Sequence, residues 1–434
     1  MVAVTTSAGV RMSPLAEIER SVQERAKTAE VDMAAPGADR HLRALLAEEV
    51  SRWRSDYRRG RRPVDVADPE AVVERALRNL AGYGPLQALL EDPDAWEIMI
   101  NAPDAIFVRR HEGPSGYHHE VFHDDDHVWR VLTKILDDSS ASHRKLDPAE
   151  GLQDAQLSTG ARIHIVHADV ARDGHLLVNI RKFTGLSIRD LHEIVARGTL
   201  DMTTAAFLRA CARAGLSVLI AGAPGSGKTT LLSSLAAELD PRLRVVVAEE
   251  VFETDIPLPN VAHMQSRPAR ADRREVDLRR LVAGFLRMAP DVAVVGEVRD
   301  REALPLLLTL SSGVQGFTTI HAGSARQALS RLRFICQLAD TRSELSAAAL
   351  TSLVSEAVDV VVHCARRGSS VRVTEVLAVE DLQVGPAMAA FTATPLFARP
   401  RHDSPLEWTG NLPVRAARAL ELAGYDVRRL VEGK

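Results

Sequence analysis

Lysine is scarce in this 434-residue chain: only Lys27, Lys134, Lys145, Lys182, Lys228 and Lys434 stand among its 54 Lys and Arg residues. A lysine placed in a glycine-rich loop, as Lys228 is, therefore stands out from an arginine background. Aromatics are few, with 10 Phe, 4 Trp and 4 Tyr, too few for a groove that stacks successive bases. The formal charge of −4 excludes a broad non-specific grip on nucleic acid, so no specific nucleic-acid partner is expected. Three widely separated cysteines, Cys211, Cys336 and Cys364, suit neither a disulfide framework nor a zinc site; free thiols in a reducing compartment are the expectation. Long apolar runs are missing as well. Leu216–Ala223 and Leu304–Leu310 are among the longest, well short of the roughly 18 residues of a spanning helix. The opening residues lack the basic-then-apolar order of a secretory leader, which points to a cytoplasmic protein.

What remains is an ordinary globular composition, 46% hydrophobic and 26% charged, in a chain long enough for several domains. Helical spacing marks Pro14–Thr28, Arg40–Arg59 and Val64–Leu80, with a break around Ala34–Asp39, so residues 1–75 read as a helical N-terminal extension. Residues 76–190 mix short strands (Trp96–Ile100, Ala105–Arg109, Ala161–Val166, His175–Arg181) with a helix at Asp126–Leu136. That order predicts an α+β domain, followed by a polar helical connector over Thr184–Thr204. Residues 191–370 change texture: SVLIAGA, RVVVAEE, DVAVVGE and GFTTIHA are compact apolar runs, each followed by helix-like sequence. Continuous apolarity predicts strands buried on both faces, hence an α/β domain with a parallel-rich sheet. The segment 371–434 contributes one strand-like run, Val371–Val379, and a polar helix over Pro413–Val431.

Gly222-Ala223-Pro224-Gly225-Ser226-Gly227-Lys228-Thr229 matches G-x-x-x-x-G-K-[ST] at every specified position, between a strand and a helix that begins Thr229-Thr230. Glycines let successive N–H groups turn toward phosphate oxygens, and the helix N-terminus adds its positive dipole end. Lys228 is placed to reach the β and γ phosphates, and the Thr229 hydroxyl to ligate Mg²⁺. A nucleoside triphosphate, ATP, is the ligand this loop implies. In Pro290-Asp291-Val292-Ala293-Val294-Val295-Gly296-Glu297 the strand separates two acids. Ligands of parallel sheets bind beyond the carboxyl ends of strands, so Glu297 is the candidate Mg²⁺ partner and Asp291 a turn cap on the far side. Glu249 and Glu250 end another strand, with Glu253 close behind. Successive side chains alternate, so one of the pair orients water while the other binds metal or caps a turn, unless the cluster is a solvated acidic loop. His321, just past Thr318-Thr319-Ile320, is either a γ-phosphate sensor or a structural histidine.

In this order the pieces resemble the ATPases of type II/IV secretion and pilus assembly, and within them the tight-adherence (Tad/Flp) branch. The resemblance rests on Leu286-Arg287-Met288-Ala289-Pro290-Asp291 with Val295-Gly296-Glu297-Val298-Arg299-Asp300, on the Gly316…Ala322 histidine box and on the acidic box at Glu249, Glu250 and Glu253. Gly84-Pro85-Leu86, Glu97–Asn101 and Asn179–Phe183 look like the family's N-terminal domain. The resemblance implies a RecA-like P-loop NTPase domain behind a smaller α+β domain, acting as a homo-hexamer beneath an inner-membrane platform protein. It would lie in the cytoplasm against the inner face of the membrane and power pilus assembly or secretion. It assigns water activation to Glu249, phosphate and Mg²⁺ contacts to Lys228 and Thr229, a second acidic role to Glu297, with Glu250 as a further metal candidate, and the histidine-box role to His321. Arg162 and Arg181 match N-terminal-domain arginines that reach phosphates, and Arg267 matches an arginine following the acidic box, as suits a fixed guanidinium fork. The sequence departs from the family where Val314 replaces a histidine, where Glu-Glu replaces Glu-Asp, and where Ala322-Gly323-Ser324 replaces A-N-S. Val314 neither donates a hydrogen bond nor carries charge, which keeps open an ATP-binding structural ring with little hydrolysis; a nucleic-acid motor is the weaker alternative.

Overall fold

The structure is a computed structural model that describes all residues except 1–12, 29–37, 140–145, 158, 183–187, 189, 268, 270–273, 340–344, 382, 385–388 and 434. Part of the expected break at 34–39, Phe183 of the N-terminal motif and part of the 184–204 connector thus lie outside the described residues. Packing divides the chain into two units, residues 1–184 and 185–434.

The first unit begins with α1 (Pro14–Thr28), α2 (Ala38–Arg58) and α3 (Pro69–Ala81). Their apolar stripes bury Ile18, Leu42, Leu46 and Trp53 in one small core. The helix expected from residue 64 starts only at Pro69, because the Asp68 carboxylate accepts the Ala71 N–H at 3.1 Å and proline suits a first helical turn. After α4 (Leu86–Glu91) come β1 (Ala95–Ala102), β2 (Ala105–Arg110), β3 (Gly116–Tyr117), α5 (Asp125–Asp138), β4 (Leu152–Gln156), β5 (Arg162–Val166) and β6 (Leu177–Arg181). The strands form an antiparallel sheet in the order β3-β2-β1-β6-β5-β4. The short β3, and β4 with its exposed Leu152, carry no apolar alternation that the sequence could announce.

The second unit opens with α6 (Leu191–Ala196) and α7 (Met202–Arg213), N-capped by Asp190 and Asp201. Alternating elements follow: β7 (Val218–Gly222), α8 (Lys228–Ala236), β8 (Val245–Glu249), β9 (Val261–Gln265), α9 (Leu278–Val282), β10 (Val292–Val298), α10 (Ala303–Ser311) and β11 (Gln315–Ile320). Next are α11 (Ala325–Ala339), α12 (Ala347–Ala357), β12 (Val360–Arg367) and β13 (Ser370–Val379). A ribbon of β14 (Gln383–Val384) and β15 (Ala389–Ala390), then β16 (Ala393–Ala398), β17 (Glu407–Trp408), α13 (Arg415–Leu422) and α14 (Val427–Glu432) complete the unit.

Nine strands make one sheet in the order β17-β16-β13-β12-β7-β11-β10-β8-β9. From β12 to β9 every pairing is parallel; β13, β16 and β17 add on antiparallel. Successive residues of the central strands feed opposite cores. Val218, Ile220, Val245 and Val247 join one, and Leu219, Ala221, Val246 and Ala248 join the other. This is the α/β, RecA-like arrangement expected, with β11 inserted between the phosphate-loop strand and the Glu297 strand. Residues 371–434 continue the same sheet. The single helix expected over 413–431 is two helices, interrupted at Gly424 with φ +88°.

Candidate nucleotide site

Strand β7 delivers the glycine-rich loop to the carboxyl edge of the sheet and α8 leaves it. Gly222 is there because nothing larger fits: a Cβ on it would lie 2.3 Å from the Cys364 carbonyl oxygen and 2.4 Å from Ser226 Oγ. Gly227, the N-cap of α8, has φ +82° and offers no side chain to cap the first turn. The orphan N–H groups of that turn are thereby kept for a ligand. Ser226 is fully buried, and its hydroxyl has no hydrogen-bond partner among the described residues. Ser226 N–H (3.2 Å) and Lys228 Nζ (3.0 Å) both donate to the Ala223 carbonyl, which stands where a phosphate oxygen could take the same two donors.

Glu297 is placed by an irregularity in β10. Val295 pairs with Thr318 and Val298 with Ile320, so β10 carries one extra residue across this interval. An extra residue re-aims a side chain at a strand end. The Thr318 and Thr319 hydroxyls donate to the Val295 and Gly296 carbonyls at 2.8 and 2.7 Å and pin the irregular stretch to β11. Past β11, His321 presents Nε2 2.5 Å from Glu297 Oε1, while its Nδ1 lies 3.2 Å from both Lys228 Nζ and the Gly222 carbonyl oxygen. On the other side of Glu297, Arg299 Nη2 donates to Oε2 at 2.9 Å and Arg299 Nη1 to Glu250 Oε2 at 2.9 Å. A continuous polar chain therefore runs Lys228–His321–Glu297–Arg299–Glu250.

Burial alone would raise the Glu297 carboxyl, but the hydrogen bonds from His321 and Arg299 outweigh it and hold the group at about 2. It is ionised at neutral pH. Glu249 has the opposite fate. Burial is its largest influence and pushes it up to about 7, against hydrogen bonds from Glu253 and Thr254. Its Oε1 accepts the Glu253 and Thr254 N–H groups at 3.0 and 2.9 Å, and its Oε2 accepts the Thr254 hydroxyl at 2.9 Å. A Cβ on Gly296 would come within 2.9 Å of Glu249 Cγ, so that glycine permits the close approach. Glu249 thus anchors the 253–254 loop, whereas the neighbouring Glu250 belongs to the polar chain.

The structure brings Lys228, Glu250, Glu297 and His321 together and adds Arg299, which the sequence reading quoted within a motif without giving it a role. Arg299 sits two residues beyond Glu297, a spacing that could have flagged it. Arg267 is exposed beyond β9, its N–H donating to the Val276 carbonyl at 2.9 Å. Arg162 and Arg181 lie in the first unit, as register partners on β5 and β6. Asp291 caps the far end of β10, accepting the Arg244 N–H at 2.7 Å. Val314 packs against the hydrophobic core between α10 and β11.

Thr229, Glu297 and Glu250 form an all-oxygen donor set of the kind Mg²⁺ prefers, and the low pKa of Glu297 keeps it anionic, so these residues fit the ion. Among the described residues no cluster of three or more His, Cys, Asp or Glu makes a metal cage. Among the described residues no helix is long and apolar enough to cross a membrane.

Residues 79–386 match the type II/IV secretion system protein family. The chain is 31% identical over 329 residues to a Mycobacterium tuberculosis (H37Rv) protein provisionally named for conjugal transfer, across 73% of this chain and 91% of that one. It is 32% identical over 313 residues to the type IV secretion system protein PtlH of Bordetella pertussis, across 65% of this chain and 89% of PtlH. Among solved structures, the VirB11 ATPase of the Brucella suis type IV secretion system aligns at 26% identity and a TM-score of 0.37, over 67% of this chain and 94% of that one. The chain belongs to the type II/IV secretion system protein family and is an ATP-hydrolysing member of it.

Proposed function

We propose that this protein is a Mg²⁺-dependent ATPase that works as a homo-hexameric motor under an inner-membrane platform protein, driving pilus assembly or secretion of the tight-adherence type from the cytoplasmic side. The observation that carries the ATPase part is the polar chain from Lys228 to Glu250 at the carboxyl edge of the sheet. The motor part leans on relatives named for conjugal transfer and type IV secretion.

Lys228 leaves the Ala223 carbonyl and His321 Nδ1 when a phosphate offers better acceptors, so nucleotide binding breaks one end of the chain. His321, whose Nε2 lies 2.5 Å from Glu297 Oε1, transmits that change to the acidic side of the site. Thr229 and Glu297 would hold Mg²⁺, whose charge offsets that of the phosphates. Glu250, tied to Glu297 through Arg299, orients the attacking water; Glu249, which burial raises to about 7 and so leaves about half ionised at neutral pH, is the alternative. Arg162, Arg181 and Arg267 are proposed as further cationic contributors to turnover.

The deciding experiment is steady-state ATP hydrolysis with Mg²⁺ by size-fractionated protein, wild type beside Lys228→Ala. Turnover confined to the hexameric fraction and lost in the variant is expected. Equal turnover in monomer and ring would sink the hexameric motor. Tight ATP binding without turnover in intact rings would favour the nucleotide-dependent structural ring.

A further inference from the structure

Strand β12 does not stop where its partner does. Its parallel pairing with β7 ends at Cys364 opposite Gly222, and the strand continues through Ala365 and Arg366 to Arg367, beyond the carboxyl edge of β7. It turns at Gly368, φ +58°, and returns as β13. The resulting hairpin meets the glycine-rich loop at three points. The Cys364 carbonyl fills the space beside Gly222. Val371 Cγ1 lies 3.0 Å from where a Cβ on Gly227 would stand. Between these, Arg366 Nη1 donates to the Gly225 carbonyl at 3.3 Å. Arg366 Nε donates to Gly368 of its own turn at 3.1 Å, which fixes the direction in which the guanidinium points.

That one contact has a consequence for the loop. In a planar trans peptide the C=O and the following N–H point in opposite directions. An arginine that holds the Gly225 carbonyl on the hairpin side therefore turns the Ser226 N–H to the other side, where it converges with Lys228 Nζ on the Ala223 carbonyl. Those two donors are the pair a phosphate oxygen would use.

We propose that Arg366 is a positioning residue of the nucleotide site, one that holds the Gly225–Ser226 peptide in its phosphate-receiving orientation from the β12–β13 hairpin. The inference rests on the nucleotide-binding reading of the loop. Its ligand class is a nucleoside di- or triphosphate, bound through the phosphate next to the loop, so ADP and ATP depend on Arg366 equally. The chemical step does not.

The test uses the full chain with Arg366→Gln and Arg366→Lys, measuring ADP and ATP dissociation constants, KM, kcat and nucleotide-free melting temperature. Arg366→Gln is expected to weaken ADP and ATP alike by about tenfold, the scale of a hydrogen bond to a charged group, and to raise KM with kcat within about twofold. Arg366→Lys keeps a donor but lacks the fixed fork and is expected to recover part of the affinity. Unchanged ADP affinity in both folded variants overturns the proposal. So does a fall in kcat at unchanged affinity, and so does a lowered melting temperature with affinity intact, the mark of a merely structural strap. Should Arg366→Gln fail to fold, the same readings on Arg366→Lys decide. Wild-type protein that fails to bind ADP would instead overturn the nucleotide reading itself.

Discussion

The Glu297 carboxylate and the His321 imidazole meet at 2.5 Å, although 24 residues and a helix separate them in sequence. On its other side the ring places Nδ1 3.2 Å from both Lys228 Nζ and the Gly222 carbonyl oxygen. The histidine is thus the joint between Lys228 of the glycine-rich loop and Glu297. His321→Ala cuts that joint but keeps the Ser226 and Lys228 donors on the Ala223 carbonyl. Turnover is expected to fall about 100-fold, the scale of one positioned proton-transferring or charge-orienting group, with ADP affinity changed by less than about threefold. Parallel titration and steady-state assays check this; equal losses in affinity and turnover would place His321 in simple binding.

Glu249 and Glu297 set opposite pH dependences. Glu249 rises from 4.5 to about 7 on folding, so its contribution to stability is fully present below pH 4.5 and is lost as pH climbs through 7. Glu297 falls to about 2, so its contribution is present above pH 4.5 and is lost as pH drops toward 2. Glu249→Gln removes the first dependence while keeping the shape of the side chain. Relative to this variant, wild type should lose on the order of 3 kcal/mol between pH 5 and pH 8. Denaturant midpoints across that range measure it, and a gap independent of pH would show that Glu249 is ionised throughout.

Arg299 bridges two carboxylates with two nitrogens, which one lysine ammonium cannot copy in the same geometry. Arg299→Lys should therefore reduce kcat about tenfold, with nucleotide affinity held. With the guanidinium hydrogen bond to Glu297 lost or weakened, burial regains weight and its pKa rises. The acid limb of the kcat profile should then move to higher pH. Combining Arg299→Gln with Glu250→Gln should cost little more than Arg299→Gln alone, because that variant has already broken the link to Glu250. Additive losses would mean that Glu250 acts independently of Arg299.

Much of this site could be read before any coordinates, because phosphate chemistry demands particular residue types at fixed spacing. The loop from Gly222 to Thr229, the strand ending at Glu297 and the histidine after Ile320 are all local signals. Arg366 carried no such signal. Arginine is the common cation of this chain, and the Gly225 partner of Arg366 is 141 residues away. The division of labour between Glu249 and Glu250 was equally hidden, since it depends on where Thr254 folds back. Strand β9 escaped notice because it is a short, half-exposed edge with His263 and Gln265 among its apolar residues. The polar tail read as one helix, since a lone glycine at 424 interrupts its period without erasing it.

Gly227 offers the sharpest separation of backbone strain from side-chain crowding. Its φ of +82° costs an L-residue about 1–2 kcal/mol, and an added Cβ would also press on Val371 Cγ1 at 3.0 Å. Gly227→Ala should lower stability by about that amount and weaken ADP binding by more than about tenfold, since relaxing the strain turns the loop N–H groups away. Val371→Ala alone opens space beside the loop and should leave ADP affinity within about threefold. The double variant relieves the crowding but keeps the strained φ, so it should recover only a minor share of the lost affinity. Full recovery in that variant, read by calorimetric titration with ADP, would show that the hairpin wall rather than the backbone requires glycine at this position.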